Sequence, residues 1–350
     1  MALLSVRGHD VGLAWRRGRW VVLRRGEEAR SLRPADVSVI HWLGTAELTA
    51  SARAAALARG VPVVFLTADG RYRGRMDGPR SPSGHLRRAQ VRWLGDAAHR
   101  VALARCVVAG KLENQRTLLL RAQRRHKDPR LAAVACSLRA LVRRVAAATD
   151  REVLLGLEGE GARRYFSAWP ALVSNPEFTW TGRSRRPPRD PINACLSYAY
   201  TILSSRVEDA VRAVGLLPGV GALHRSEKNH AALAFDLVEE LRAPLVDRVV
   251  LRLVNRRQLA PEDFEDPAHR RVSLAAGEPG GPVPSGAVYL GATARRLLTK
   301  ELMKTWRKDV PDESSGERVR ADWLPERQAR RVARLVLERD ETYAPFRWSQ

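Results

Sequence analysis

MDGPRSPSGH, residues 76–85, divides the chain. It is dense in Gly, Pro and Ser, residues that interrupt regular structure. On its N-terminal side, VGLAWRRGRWVVLRR (11–25), VSVIHWL (37–43) and VPVVFLTADGRYRGR (61–75) are short β-branched or aromatic runs bounded by Gly, Asp or Pro, the pattern of strands. One helix, AELTASARAAALAR over 46–59, interrupts them and stops at Gly60. On the C-terminal side the period turns helical, as in HLRRAQVRWLGDAAHRVALARCVVAGKLENQRTLLLRAQRR, where apolar residues recur every three or four positions. The expected fold class is α+β: a small N-terminal β-rich domain with its linker over 1–85, then a larger all-α domain over 86–350. Strand edges in the first domain, with Trp15, Trp20 and Trp42 expected at its surface, need cover. A two-fold homodimer would supply it.

Within the helical part, RHKDPR (125–130) breaks one run, and Asp150 with Arg151-Glu152 marks a new helix start. Asp190-Pro191 reads as a cap followed by proline at the first helical position. LLPGVGALHRSEKN (216–229) reads as a loop, a break is expected near Pro244, and AAGEPGGPVPSGA (275–287) and KDVPDESSGE (308–317) read as mobile loops.

The formal net charge is +23, carried by six Lys and 55 Arg against 38 acids. Such a surplus points to a polyanionic partner, and nucleic acid is the usual one. Cys106, Cys136 and Cys195 have neither metal-ligand spacing nor an even count, and read as core thiols of a reducing, cytoplasmic compartment. No stretch has the length of a membrane span, so no membrane partner is expected.

The residues suited to chemistry are acids and one imidazole. Glu158 and Glu160 lie in LLGLEGEGARRYFSAW (154–169), each followed by glycine, which costs about 1 kcal/mol relative to Ala inside a helix. Glu158 is expected to open a helix whose start stays accessible to a ligand. Asp236 and Glu239, at i and i+3, share a helical face, and His224 ends a Gly-rich loop able to fold back over that helix. Carboxylates and imidazole from separate elements suit Mg²⁺ or Mn²⁺, and in a basic protein the matching substrate is a phosphodiester. Spacing alone leaves two readings open, a metal-dependent phosphodiesterase and a non-enzymatic DNA-binding protein. RAQRRHKDPR, with Arg124 and Arg125, and RSRRPPR, with Arg183, Arg185, Arg186 and Arg189, are candidate phosphate contacts.

Six segments, in order, resemble the CRISPR-associated protein-one family. GKLENQRTLLLR is similar to its Lys-x-x-Asn-Gln element, and LLGLEGEGARRYF to its Glu-Gly-x-x-Ala-x-x-Tyr-Phe signature. RRPPRDPINACLSYAYTIL, GLLPGVGALH, AFDLVEELRAPLVD and the terminal YAPFRW match its later motifs. The resemblance implies a β domain that dimerises and a helical catalytic domain. It implies metal ligation by Glu158, His224 and Glu239 with Asp236 beside the Mg²⁺ or Mn²⁺ ion, and gives Glu160 no role. The implied activity is endonuclease and integrase chemistry: a 3′-hydroxyl of a captured double-stranded DNA fragment attacks the leader–repeat boundary of a CRISPR array, with a small adaptation subunit as partner. The alternatives are a metal nuclease of the same fold serving a mobile element or repair, and a catalytically inactive DNA scaffold. Glycine at 161 replaces the family's usual Ala and implies a looser helix.

Overall fold

The computed structural model describes residues 2–8, 10–43, 46–66, 72–78, 84–184, 187–224, 231–265 and 286–349. Among these, the chain forms two compact units: one ends with the strand at Tyr72–Met76, and the other begins with the helix at Gly84.

The first unit holds two four-stranded sheets and a helix. One sheet orders β1 (Ala2–Arg7), β5 (Val37–Leu43), β7 (Val63–Leu66) and β8 (Tyr72–Met76). The other orders β4 (Glu27–Leu32), β3 (Arg19–Arg24), β2 (Val11–Arg16) and β6 (Glu47–Leu48). The expected 11–25 run is a hairpin whose turn, Arg17-Gly18, has positive φ at both residues (47° and 74°), the geometry a twisted two-residue turn requires. The helix α1 starts at Ala50 rather than Ala46, because Glu47 and Leu48 are taken into the sheet beside β2. Thr49 caps it and Gly60, in the left-handed region, ends it. Trp20 and Trp42 lie in this unit's own core rather than at its surface, and Trp15 is half-buried beneath the Arg59 guanidinium, 4.5 Å from its ring centre.

The second unit is mostly helical. It comprises α2 (Gly84–Gly95), α3 (Ala97–His126), α4 (Pro129–Ala147), α5 (Arg151–Ser167), α6 (Trp169–Leu172), α7 (Pro191–Val214), α8 (Ala232–Glu239), α9 (Arg248–Asn255), α10 (Ala292–Trp306) and α11 (Leu324–Val336). Asp96, Asp128, Asp150 and Asp190 cap α3, α4, α5 and α7 through their side chains, so the short side-chain acceptors set where each helix begins. The long α3 packs on α2, α4, α5 and α8 around one core. Two short antiparallel pairs add to the helices: Phe264–Glu265 (β9) with Tyr289–Leu290 (β10), and Asp309–Asp312 (β11) with Glu317–Arg320 (β12). The second occupies the expected loop at 308–317. Its turn is fixed by the buried Asp312 carboxylate, which accepts from Ser314 N–H (3.1 Å) and Ser314 Oγ (2.7 Å) and pairs with Arg331 (3.3 Å). Residues 275–285 of the other expected loop lie outside the described residues. Cys195 is buried as expected, whereas Cys106 is half-buried and Cys136 is exposed on α4.

The expected break at Pro244 is instead one π-helical turn, Ala243–Asp247, leading directly into α9. Proline has no N–H to give the Glu240 carbonyl four residues back. Asn114 of α3 supplies the donor: its Nδ2 bonds the Glu240 carbonyl at 2.7 Å and the Phe346 carbonyl at 2.8 Å, while its Oδ1 accepts Trp348 N–H at 2.7 Å. The Glu240 side chain accepts from Tyr343 Oη (2.6 Å), Gln328 Nε2 (3.0 Å) and Phe346 N–H (2.6 Å). The terminal YAPFRW segment is thereby tied onto the turn that follows α8. Asn114→Ala would strand three buried backbone groups at a cost of roughly 3 kcal/mol or more. The helical unit of that variant should melt roughly 6–9 °C lower than the parent by circular dichroism.

Candidate active site

Glu158 sits in the middle of α5, not at its start, since the helix is already capped by Asp150. The glycines around it do different things. Gly159 borders open space: a methyl group there would meet only Arg163, at 3.9 Å, whereas a Cβ on Gly161 would overlap Leu112 Cδ2 of α3. Gly161 therefore lets α5 pack tightly on α3 and does not loosen the helix. Tight packing brings Glu158 over Lys111, one residue before Leu112.

Lys111, buried on α3, is the hub of the site. Its ammonium pairs with Glu158 Oε1 and lies 2.6 Å from Glu239 Oε2. The Lys111 and Glu239 side chains are 3% and 5% exposed. Glu239 Oε2 is buried, and the Lys111 ammonium is the cation that faces it. Arg242 pairs with the other oxygen, Oε1, at 3.1 Å. Burial alone would push the Glu239 carboxyl up; the Arg242 and Lys111 cations overturn that and hold it well below the ordinary range.

The Asp236 carboxylate is fully buried and is not placed as a ligand. It accepts the N–H groups of Ala222 (2.6 Å), Leu223 (3.1 Å) and His224 (3.0 Å), and its Oδ1 lies 2.7 Å from His224 Nδ1. Gly221 permits this: a Cβ there would come within 2.8 Å of Asp236 Oδ2 and 2.7 Å of the Ala232 backbone. The Gly-rich loop thus wraps its amides around a carboxylate and delivers the imidazole with Nδ1 engaged. Burial opposes charge on His224, but Asp236, then Glu239 and Glu158, outweigh it and raise its pKa above 6.5.

Glu158 and Glu239 thus meet at the Lys111 ammonium, and both carboxylates favour the charged form of His224. Among the described residues, no group of three His, Cys, Asp or Glu side chains is arranged to hold a metal ion. The Lys111 ammonium stands between the two glutamates. The donor set still fits a hard divalent ion: two carboxylates that already face one cation, and an imidazole fixed by a carboxylate behind it.

Spacing gave Lys111, Arg242 and Asp247 no role, although all three stand in the motifs GKLENQ and DLVEELRAPLVD. Asp247 accepts Tyr165 Oη of α5 (2.8 Å) and Tyr200 Oη of α7 (2.5 Å), and the Arg242 guanidinium lies 4.8 Å over the Tyr200 ring. These contacts lock the helix bearing Glu158 to the turn following Glu239. The regular spacing of polar residues inside a long motif was the available signal, but their partners lie on other helices.

A cleft of about 550 Å³ opens beside Glu158, lined by Gly159, Arg163, Phe166, Trp180 and Arg183 among others. Arg183 is built into its wall: it donates to Asn193 Oδ1 (2.7 Å) and lies 5.6 Å over Tyr200. Arg124, Arg125 and Arg189 are exposed, the first two near the end of α3, away from the described contacts of the acidic cluster. Arg185 and Arg186 lie outside the described residues. Glu160 forms surface pairs with Arg144 (3.1 Å) and Arg164 and stays apart from Lys111.

A family model described as CRISPR associated protein Cas1 matches residues 4–277. The chain belongs to the Cas1 family. It is 35% identical over 83% of its length to a CRISPR-associated endonuclease Cas1 of Chlorobaculum tepidum, covering 81% of that protein. It is 34% identical to one of Thermus thermophilus, with 95% of each chain aligned. Among solved structures, a Cas1 protein from Thermotoga maritima superposes with a TM-score of 0.76 at 21% identity, covering 96% of this chain and 97% of that one. A casposase bound to integration product superposes at 0.78 and 21% identity, over 100% and 95% of the two chains. At such identities these two likenesses concern the fold. No described helix is long and apolar enough to cross a membrane.

In EDTA, the His224 imidazole should titrate with a midpoint above 6.5, the direction its acidic neighbours impose. A raised folded pKa stabilises the fold below 6.5 and loses that contribution as pH rises through the folded midpoint. Proton–nitrogen NMR on the eight-histidine chain should show the midpoint falling in Asp236→Asn. An unchanged midpoint would remove Asp236 as the partner.

Proposed function

We propose that the chain is a divalent-metal-dependent DNA endonuclease and integrase that inserts captured DNA fragments into a CRISPR array by attack of a 3′-hydroxyl on a phosphodiester. One observation carries this reading: Glu158, half-buried on one helix, and Glu239, buried on another, share one cation position, and the imidazole of His224 is oriented by Asp236. The Cas1 relatives named as CRISPR-associated endonucleases support the substrate class, and the charge of +23 suits DNA.

Glu158, Glu239 and His224 Nε2 would hold Mg²⁺ or Mn²⁺. Bound there, the ion would polarise a phosphoryl oxygen and stabilise charge on the attacking or leaving oxygen. Asp236 fixes the ring and tautomer of His224 through Nδ1. Arg242 keeps Glu239 ionised, so that its oxygens remain donors. Asp247 and its two tyrosines hold the two glutamate-bearing elements in register. The cleft beside Glu158 offers the substrate Arg163 and aromatic walls next to the reacting phosphate. A small adaptation subunit is the expected partner; the fold is similar to part of a chain of a Cas6-RT-Cas1–Cas2 complex, with a TM-score of 0.77 at 24% identity over 100% of this chain and 36% of that one.

His224→Ala and Glu158→Gln should leave duplex binding within about threefold, because binding by so basic a chain is mostly counterion release. Nicking and strand transfer in Mn²⁺ should fall by about 100-fold or more, and EDTA should reproduce the loss in the parent chain. Wild-type strand transfer by either variant would refute the assignment; joint loss of binding and chemistry would point to a misfolded variant, visible in its melting curve.

The first unit also serves as the dimerisation module in this reading. Its two sheets end in the strands β1 and β8, and β4 and β6, and β4 is largely exposed. Light scattering at micromolar concentration should return about twice the 39.0 kDa chain mass. A strict monomer would overturn the dimer.

A further inference from the structure

The charge on Lys111 stands where the reading above needs a metal ion. Its side chain is 3% exposed, so the ammonium is not a surface charge that drifted to an acid. It touches one oxygen of each glutamate, 2.6 Å from Glu239 Oε2. A divalent ion binds carboxylate oxygens at about 2.0–2.6 Å. An ion shared by Glu158 and Glu239 therefore needs the volume that Nζ fills. Two cations at that separation repel strongly in a buried site.

Charge counting gives the same answer. Glu158 and Glu239 are balanced by Lys111 and Arg242 when no ion is bound. With a divalent ion bound and His224 neutral as its ligand, Lys111, Arg242 and the ion would set four positive charges against the three carboxylates of Glu158, Glu239 and Asp236, an excess that the departure of one side-chain cation removes. Arg242 is anchored: it follows Glu239 on the same helical path, pairs with Oε1 and stacks on Tyr200. The Lys111 ammonium is carried on a flexible four-carbon stem and has no aromatic ring or backbone tie like those of Arg242 among the described contacts. Lysine is the cation better able to move aside.

We propose that Lys111 is a built-in stand-in cation, which holds Glu158 and Glu239 together in the metal-free protein and is expelled from between them when the divalent ion binds. This rests on the metal-site reading given above. The arrangement lets the helical unit fold with its acids already converged. It also makes metal affinity a difference between two cations, so Lys111 weakens binding of the ion it mimics.

The test uses the full chain and Mn²⁺ alone. By isothermal titration calorimetry, Lys111→Met, which keeps the stem but not the charge, should bind Mn²⁺ at least about tenfold more tightly than the parent. A second measurement needs no variant. Limited acetylation read by peptide mass spectrometry should find Lys111 protected in EDTA and several-fold more reactive at saturating Mn²⁺, while the exposed Lys127, Lys300, Lys304 and Lys308 stay constant. Equal or weaker Mn²⁺ binding by Lys111→Met, with the parent still binding, would overturn the displacement and leave the metal site standing. If neither protein binds Mn²⁺, both readings fall. If Lys111→Met does not fold, the acetylation result decides: equal protection with and without Mn²⁺ overturns the proposal.

Discussion

Two carboxylates brought together inside a protein need a cation between them, and much of the helical unit is arranged to meet that need. Removing one partner of such a buried pair leaves a charge with neither water nor counterion, a cost of several kcal/mol. Lys111 supplies the charge from α3, Glu158 comes from α5, and Glu239 from the end of α8. None of the three is a neighbour of another in sequence. The packing that brings them together is visible: Gly161 lets α5 lie directly on Leu112, the residue after Lys111. The glycine that looked like a loosened helix is the one that closes the site.

The turn after Glu239 is held just as tightly, by means that look wasteful until proline is considered. Pro244 removes a backbone donor from the helix carrying the site's acid. The chain does not break there; it widens into a π-helical turn, and Asn114 reaches across from α3 to satisfy the carbonyl left behind. The same asparagine, with Glu240, binds the terminal Tyr343–Trp348 segment, so the last residues of the chain brace the turn. Burial pushes the Glu240 carboxyl up to about 7 in spite of its three donors. Adjacent glutamates therefore have opposite lives. Glu239 is kept ionised by Arg242 and Lys111, while Glu240, held by Tyr343, Gln328 and the Phe346 amide, braces the end of the chain.

Asp236 and His224 show how a loop with little regular structure is made exact enough for chemistry. Three successive amides converge on one carboxylate, and that carboxylate orients the ring. An acid at i−3 from Glu239 reads as a second site carboxylate or a solvated neighbour. It is completely buried and spends its oxygens on the loop amides and the imidazole. In the proposed reading this is the ordinary arrangement of a metal-binding histidine, whose second nitrogen is commonly held by a carboxylate.

The sequence by itself determined the strand-rich start and helical remainder, the helix starts at Asp150 and Asp190, the polyanion-seeking charge, and the acids and imidazole worth following. These are local properties: side-chain period, capping atoms, glycine and proline, and summed charge act within a few residues or need no geometry. It did not determine that α1 would begin after a strand, that residues 309–320 would form a hairpin, or that Trp20 and Trp42 would be interior. Each of those depended on which distant partner claimed the residue. Only the tertiary structure decided the centre of the site. Lys111 meets an acid 47 residues away in Glu158, and Asn114 meets a carbonyl 126 residues away. A buried lysine and an exposed one are the same letter. What separates them is the desolvation that comes when other helices close over the ammonium, and that exists only after the chain has folded.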